Sequence, residues 1–226
     1  MPQVPLVAPD ALAWMIPPSR CALLIIDVQR DFAAPDGAVA RAGADMSRTP
    51  ATLDRIEALV GHARRAGATV AFARVLTTPE TDPAALRLLN ARKGEAADAI
   101  AICREGDAGA DYCRVRPIAG EISVSKRLYN AFHGTDLEDQ LRQRGVDTLV
   151  VVGFSTHCCV DATCRDAFHR DFNVFVVADA TDAYDDDAQR ATLSALRDSC
   201  ALIADADAVT AAWARAAPES GRRAHG

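Results

Sequence analysis

The chain has 226 residues, half of which are hydrophobic, and it carries a formal net charge of −6. This length and composition allow one domain with a sizeable buried core. We expect a single domain over residues 1–226, with its core at about 20–215 and a disordered tail at 218–226. The acidic balance argues against a nucleic-acid partner, which would require a basic face.

Neither a membrane span nor a targeting signal is predicted. No apolar run approaches the ~20 residues of a membrane helix, so a membrane partner is not expected. Residues 1–20 are interrupted by five prolines and lack a basic start, which is untypical of a signal peptide. The seven cysteines are irregularly spaced without a C-x-x-C pair, which argues against a zinc ribbon and favours reduced thiols in the cytoplasm.

Short apolar runs alternate with helical patterns along the chain. The first run, Cys21–Asp27, is apolar until its last residue, as expected of a strand buried on both faces. Later strands are predicted at 68–75, 121–126, 146–154, 173–179 and 200–204. This alternation predicts an α/β fold, a three-layer α-β-α arrangement with a mostly parallel six-stranded sheet.

Helices are predicted between these strands. One begins at Thr49–Pro50 and ends before Gly67. Thr135 and Glu138 have the spacing of a capping box for another, which Gly145 ends. The remaining helices are predicted at about 84–90, 95–102, from Cys159, 188–197 and 207–216. Two interpretations remain open for the arginines between 76 and 120. Either all of them are solvated charges, or one of them faces a substrate.

Three reactive side chains are expected at one edge of the sheet. Ligands of such folds bind outside the C-terminal ends of the strands. Asp27 ends the first strand, Lys126 ends the third, and Cys159 follows the fourth at the start of a helix. A helix N-terminus and a nearby lysine favour a thiolate. Asp27 can exchange a proton with the thiol and with a departing amine.

Each of these residues also has an ordinary structural role. An aspartate at a strand end often caps a turn, a lysine there is usually solvated, and a cysteine is usually core. The turn Gly153–Cys159 can supply N–H donors for an oxyanion. From the residues alone, both the catalytic and the structural interpretation remain open.

Three separated motifs carry a family resemblance. Residues 153–167 resemble the G-x-x-T-x-x-C-V-x-x-T-x-R-D-A signature of the isochorismatase-like cysteine hydrolases. Residues 22–32 resemble that family's first strand with its aspartate, and residues 125–132 resemble its lysine strand. Residues 177–180 resemble the end of the next strand, and the whole match runs from about 20 to 215.

The resemblance implies roles that spacing does not give. It implies a Rossmann-like isochorismatase fold with strand order 3-2-1-4-5-6, and a homodimer or homotetramer. Cys159, directly before the valine, is the implied nucleophile, with Asp27 and Lys126 beside it. A cis peptide bond is implied between Phe154 and Ser155, with the N–H groups of Ser155 and Cys159 forming the oxyanion hole. The implied pocket walls are Gln29, Phe32, Asn130 and Phe132.

The resemblance also narrows the chemistry. Nicotinamidases of the superfamily carry a metal site around a D-x-H motif, but residues 72–79 here contain no histidine. We therefore expect neither a metal nor a cofactor. Isochorismatases proper commonly lack the cysteine, so Cys159 favours hydrolysis of a C–N bond in a small amide, ureido or carbamoyl substrate. The alternatives are vinyl-ether hydrolysis, a thiol redox sensor using Cys158 and Cys159, and a non-catalytic binding protein.

Overall fold

A six-stranded parallel sheet runs through the centre of the molecule. The computed structural model describes residue 4, residues 6–96 and residues 101–216. In this part of the chain the strand order is β3-β2-β1-β4-β5-β6, as predicted. The strands are β1 (Cys21–Ile26), β2 (Thr69–Val75), β3 (Ile122–Lys126), β4 (Thr148–Phe154), β5 (Asn173–Asp182) and β6 (Leu202–Ala204).

Helices cover both faces of this sheet. They are α1 (Pro9–Met15), α2 (Arg30–Ala33), α3 (Ala38–Arg41), α4 (Thr49–Ala66), α5 (Ala84–Lys93), α6 (Leu137–Gln143), α7 (Asp161–His169), α8 (Asp186–Ser199) and α9 (Ala206–Ala216). The sequence analysis did not predict α1, α2 or α3. Half of the helix predicted at 95–102, residues 97–100, lies outside the described residues, as does the tail at 218–226, and the described residues 95–96 and 101–102 are not helical.

Alternate residues of β1 point into two separate cores. Cys21, Leu23 and Ile25 pack in one cluster with residues of α1, α4 and α9. Ala22, Leu24 and Ile26 pack in the other with residues of α6, α7 and α8. Burial on both faces explains why this strand is apolar throughout, and it gives the three layers that the sequence predicts.

The two predicted helix ends have different outcomes. Helix α4 ends at Gly67, which has the left-handed φ of 74° typical of a C-terminal glycine. The capping box before α6 is wrong. The Thr135 hydroxyl donates to the carbonyl of Ala131 at 2.6 Å, and Glu138 forms an ion pair with Arg170. Thr135 still accepts a hydrogen bond at the helix start, but from the N–H of Leu137 at 3.3 Å instead of that of Glu138.

A glycine allows β1 and β4 to approach closely at the functional edge of the sheet. Gly153 pairs with Ile26 and has a φ of 119°, a conformation that residues with a side chain rarely adopt. A Cβ atom at this position would lie 1.9 Å from the carbonyl oxygen of Ile26. Only glycine fits here.

Within the described residues, no helix is both long and apolar enough to cross a membrane.

Candidate active site

Asp27 and Lys126 meet at the C-terminal edge of the sheet. Asp27 directly follows β1 and Lys126 ends β3, and these two strands flank β2 in the sheet. The Lys126 ammonium donates to Asp27 Oδ2 at 2.7 Å. Both side chains are completely buried. Lys126 also donates to the carbonyl oxygen of Leu128 at 2.9 Å. Asp27 has a left-handed φ of 52°, which aspartate tolerates better than most residues.

Cys159 lies beside this ion pair. It is part of a π-helical turn, Thr156–Val160, that connects β4 to α7, and turns of this kind are frequent at functional sites. Its thiol is buried and lies close enough to Asp27 and Lys126 to act on the pKa values of both groups. Oδ1 of Asp27 is buried without a hydrogen-bond partner in the described chain. This oxygen is therefore free to accept the thiol proton.

The surroundings favour a neutral thiol in the resting site. The hydrogen bond with Cys158, then burial and the charge of Asp27, raise the pKa of Cys159 well above its ordinary value, and Lys126 opposes this only in part. The neighbouring Cys158 has a lowered pKa because it receives the hydrogen bond from Cys159. Burial and the nearby carboxylate thus oppose the thiolate that the lysine and the helix N-terminus would favour at Cys159.

The two charged groups have shifted pKa values as well. Burial raises the pKa of Asp27, against the lowering effect of Lys126. For Lys126, burial acts most strongly and lowers the pKa, but the charges and hydrogen bonds of Asp27 and Cys159 together outweigh it and leave the pKa raised. A carboxylate of raised pKa is a stronger base than an exposed one, so Asp27 is suited to remove a proton from the neutral thiol.

The turn that carries Cys159 has the expected backbone. The peptide bond between Phe154 and Ser155 is cis. The Phe154 ring is stacked on Tyr184, with the ring centres 5.9 Å apart. Ser155 and Cys159 line the same cavity, which leaves their N–H groups as the candidate oxyanion donors.

A cavity of about 170 Å³ opens above Cys159. This is smaller than the roughly 300–1,000 Å³ of pockets for drug-sized ligands, so it suits a small molecule. Phe32 is the one predicted pocket residue that lines it, and the Tyr184 hydroxyl donates to the Phe32 carbonyl at 2.7 Å. The cavity is lined by Phe32, Val75, Thr77, Asp82, Pro83, Leu86, Ile102, Arg127, Leu128, Tyr129, Ser155, Cys158 and Cys159.

The other three predicted pocket residues do not line this cavity in the described chain. Asn130 donates to the Asp166 carboxylate at 2.7 Å. The Phe132 ring is buried and stacks on Phe172 at 5.8 Å between ring centres. Their side chains are held by α7 and by the core, respectively, and do not face the cavity.

Gln29, the third of them, is a structural clamp. Its amide nitrogen donates to the carbonyls of Val75 at 2.8 Å and Ala110 at 2.9 Å, and its amide oxygen accepts from the N–H of Val75 at 2.8 Å. Gln29 therefore joins the end of β2 to residues 101–113, which we call the strap. The strap is also attached at Thr77, whose N–H donates to the carbonyl of Cys103 at 3.2 Å.

Several cavity residues were missed by the sequence analysis. Thr77, Asp82, Leu86 and Ile102 come from the stretch between β2 and β3, where no strong pattern was visible. Arg127 and Tyr129 follow Lys126 so closely in the sequence that proximity was a usable signal. Of the arginines between 76 and 120, Arg104 contacts the cavity lining, because it forms a two-pronged ion pair with Asp82 at 2.5 and 2.7 Å.

Two further observations bear on the choice of site. A larger hollow of about 530 Å³ lies at the opposite end of β4 and β5, beside Thr148 and Asn173, and its lining includes no member of the Asp27, Lys126 and Cys159 group. Within the described residues, no group of three or more histidine, cysteine, aspartate or glutamate side chains could hold a metal ion. The absence of a metal from the reaction stays a prediction.

Comparison with known proteins identifies the family. The isochorismatase domain family matches residues 21–208. The chain belongs to the isochorismatase family. A cysteine hydrolase of this fold from Pseudomonas syringae has a TM-score of 0.78 at 28% identity, with 94% of this chain and 99% of that chain covered. N-carbamoylsarcosine amidase from Thermoplasma acidophilum has a TM-score of 0.67 at 26% identity, with 83% and 97% covered.

Curated relatives of this isochorismatase-family chain are amidohydrolases. The ureidoacrylate amidohydrolase RutB of Methylobacterium radiotolerans is 33% identical over 187 residues, which cover 76% of this chain and 70% of the relative. RutB of Stutzerimonas stutzeri is 32% identical over 227 residues, which cover 93% and 88%. The chain is thus an isochorismatase-like hydrolase.

Proposed function

We propose that this protein is a cysteine-dependent hydrolase that cleaves a C–N bond of a small amide, ureido or carbamoyl substrate. The observation that carries the proposal is the position of Cys159 between a buried Asp27–Lys126 ion pair and a small cavity. Vinyl-ether hydrolysis needs only an acid, whereas this site also presents a nucleophile. The relatives named amidohydrolases support the same class of reaction.

The reaction begins with removal of the thiol proton. Asp27 takes this proton as the sulfur of Cys159 attacks the substrate carbonyl carbon, which forms a C–S bond and an oxyanion. The oxyanion collapses, the C–N bond breaks, and Asp27 gives its proton to the departing nitrogen. Water then attacks the thioester, losing a proton to Asp27, and the C–S bond breaks to restore the thiol.

The remaining groups stabilise charge during these steps. Lys126 offsets the negative charge that Asp27 and the sulfur share in the buried site. The N–H groups of Ser155 and Cys159 donate to the oxyanion, and loss of one such donor typically lowers the rate by about 10²–10³. A carbamoyl group on the sulfur would leave as carbamate, which decomposes to carbon dioxide and ammonia.

The test is ammonia release from a panel of ureido and amide compounds. Cys159→Ala is expected to abolish turnover while substrate binding, measured by calorimetry, is retained. The matched control is Cys158→Ala, which changes the adjacent cysteine of the same cavity and is expected to leave most activity. If the effects of the two substitutions were reversed, Cys158 would be the nucleophile.

The same experiment separates the alternative functions. A vinyl-ether hydrolase would survive Cys159→Ala and release no ammonia from its substrate. A redox sensor would form a Cys158–Cys159 disulfide on oxidation, although all seven cysteines are free thiols in this structure. The single-domain organisation, the homo-oligomer and the cytoplasmic location stay predictions.

A further inference from the structure

The walls of the cavity above Cys159 are mostly apolar. Most of the charged side chains in or beside these walls form ion pairs. Lys126 is paired with Asp27 at 2.7 Å, and Asp82 is paired with Arg104 at 2.5 Å. Arg127 lines the same cavity, and no carboxylate of the described chain lies within ion-pair distance of it. The described walls therefore present one unmatched positive charge to a ligand.

This charge lies nearer to solvent than the nucleophile does. Cys159 is almost completely buried, whereas Arg127 is exposed at the end of β3, directly after the buried Lys126. Tyr129, which is 40% exposed, lines the cavity close to it in the chain. A small molecule with its carbonyl at the buried Cys159 and its other end toward solvent can therefore place that end near Arg127.

We propose that Arg127 binds a carboxylate of the substrate, so that the enzyme selects small amide or ureido acids over neutral analogues. This inference rests on the proposed function. A guanidinium presents a planar set of N–H donors that matches the two oxygens of a carboxylate. A cation at the mouth also attracts anions toward a site whose other charges are balanced.

The other arginine at the cavity is less suited to this role. Arg104 uses both terminal nitrogens to bind Asp82, and one of them also donates to the Thr77 hydroxyl at 3.2 Å. A substrate carboxylate would have to displace Asp82 from a nearly buried ion pair. Arg127 has no such competitor among the described residues, so its donors are free for a ligand.

The experiment compares an acid with its neutral counterpart. The probes are 3-ureidoacrylate and its methyl ester, each assayed by initial ammonia release with wild type, Arg127→Gln and Arg127→Lys. The control is Arg92→Gln, which removes an exposed positive charge from α5 outside the cavity lining. For Arg127→Gln we expect kcat/KM for the acid, relative to the ester, to fall at least about tenfold, as for a lost charge-assisted contact.

Two further results complete the expectation. Arg127→Lys should recover part of the selectivity, since it keeps the charge and loses the planar fork. Arg92→Gln should leave the ratio of acid to ester unchanged. Equal losses for acid and ester in Arg127→Gln, or the same ratio as in wild type, would overturn the inference.

A binding measurement keeps the inference separate from the proposed reaction. Calorimetry with Cys159→Ala, with and without Arg127→Gln, reports affinity for the acid when no turnover occurs. If wild type releases no ammonia but the acid still binds in an Arg127-dependent way, the proposed function fails and the inference stands. Failure of the acid to bind, or binding that is independent of Arg127, refutes the inference.

Discussion

Replacing Lys126 by methionine removes the cation of the buried pair while nearly preserving side-chain volume. Both Asp27 and Lys126 are completely buried, so the carboxylate would lose its compensating charge without gaining solvent. Removal of one partner from a buried pair typically destabilises a protein by about 3–5 kcal/mol. The hydrogen bond to the Leu128 carbonyl is lost as well, which adds roughly 0.5–1.5 kcal/mol. We expect Lys126→Met to lower the free energy of unfolding by at least about 3 kcal/mol at pH 7.

This loss of stability should depend on pH in a defined direction. Burial already raises the pKa of Asp27, and removal of Lys126 raises it further. A carboxyl group whose folded pKa is raised favours the fold below its unfolded pKa, about 3.9 for aspartate, and this stability is lost as pH rises through the folded pKa. The difference between Lys126→Met and wild type should therefore be small near pH 4 and grow toward pH 7.

The assay is urea unfolding of wild type, Lys126→Met and the double variant Asp27→Asn/Lys126→Met between pH 4 and pH 8. Replacing both charges removes the uncompensated carboxylate, so the double variant should recover much of the lost stability at pH 7. A single variant within about 1 kcal/mol of wild type at pH 7, or a double variant no more stable than the single, would refute the reasoning.

Three further predictions concern backbone, proton transfer and metal. Gly153→Ala should lose more stability than Gly43→Ala in thermal unfolding, since both glycines have a positive φ but only the Cβ at Gly153 meets a backbone oxygen, at 1.9 Å; equal losses would show that the clash is relieved. Asp27 must be ionised to take the thiol proton and its pKa is raised, so kcat/KM should fall with decreasing pH at a midpoint above about 3.9, the ordinary value; a midpoint at or below that value would count against Asp27 as the base. Exhaustive chelation should leave the rate unchanged, and activity lost to the chelator and restored by zinc or iron would contradict the metal-free mechanism.

The sequence was sufficient where a property is periodic along the chain. Runs of apolar residues predicted the strands, and the position of a polar residue after such a run predicted that Asp27 and Lys126 would meet at one edge. Family resemblance was needed for the strand order, which the structure confirms, and for the choice of Cys159 over Cys158 as the nucleophile, which stays a prediction. Both of these predictions rest on short sequence motifs, which can be recognised without knowledge of the structure.

Side-chain direction was not predictable in the same way. Asn130 and Phe132 belong to the lysine motif, yet the Asn130 side chain donates to Asp166, which is 36 positions further along the chain. Gln29 directs its amide to the strap at Ala110, 81 positions away. Such contacts depend on how separate segments of the chain pack together. The position of Asp82 in the cavity lining depends on the same packing and was therefore not predicted. The pocket therefore had to be read from the structure.

The Asp27–Lys126 pair has a consequence for the order in which the protein folds. The two residues are 99 positions apart in the chain, and β2 separates their strands in the sheet. Contacts between distant residues form slowly because the intervening chain must first be ordered. During synthesis the Asp27 carboxylate emerges long before the lysine that balances it in the interior. Burial of this end of β1 with a charged Asp27 is therefore unfavourable until β3 is in place, and we expect the site to assemble late in folding.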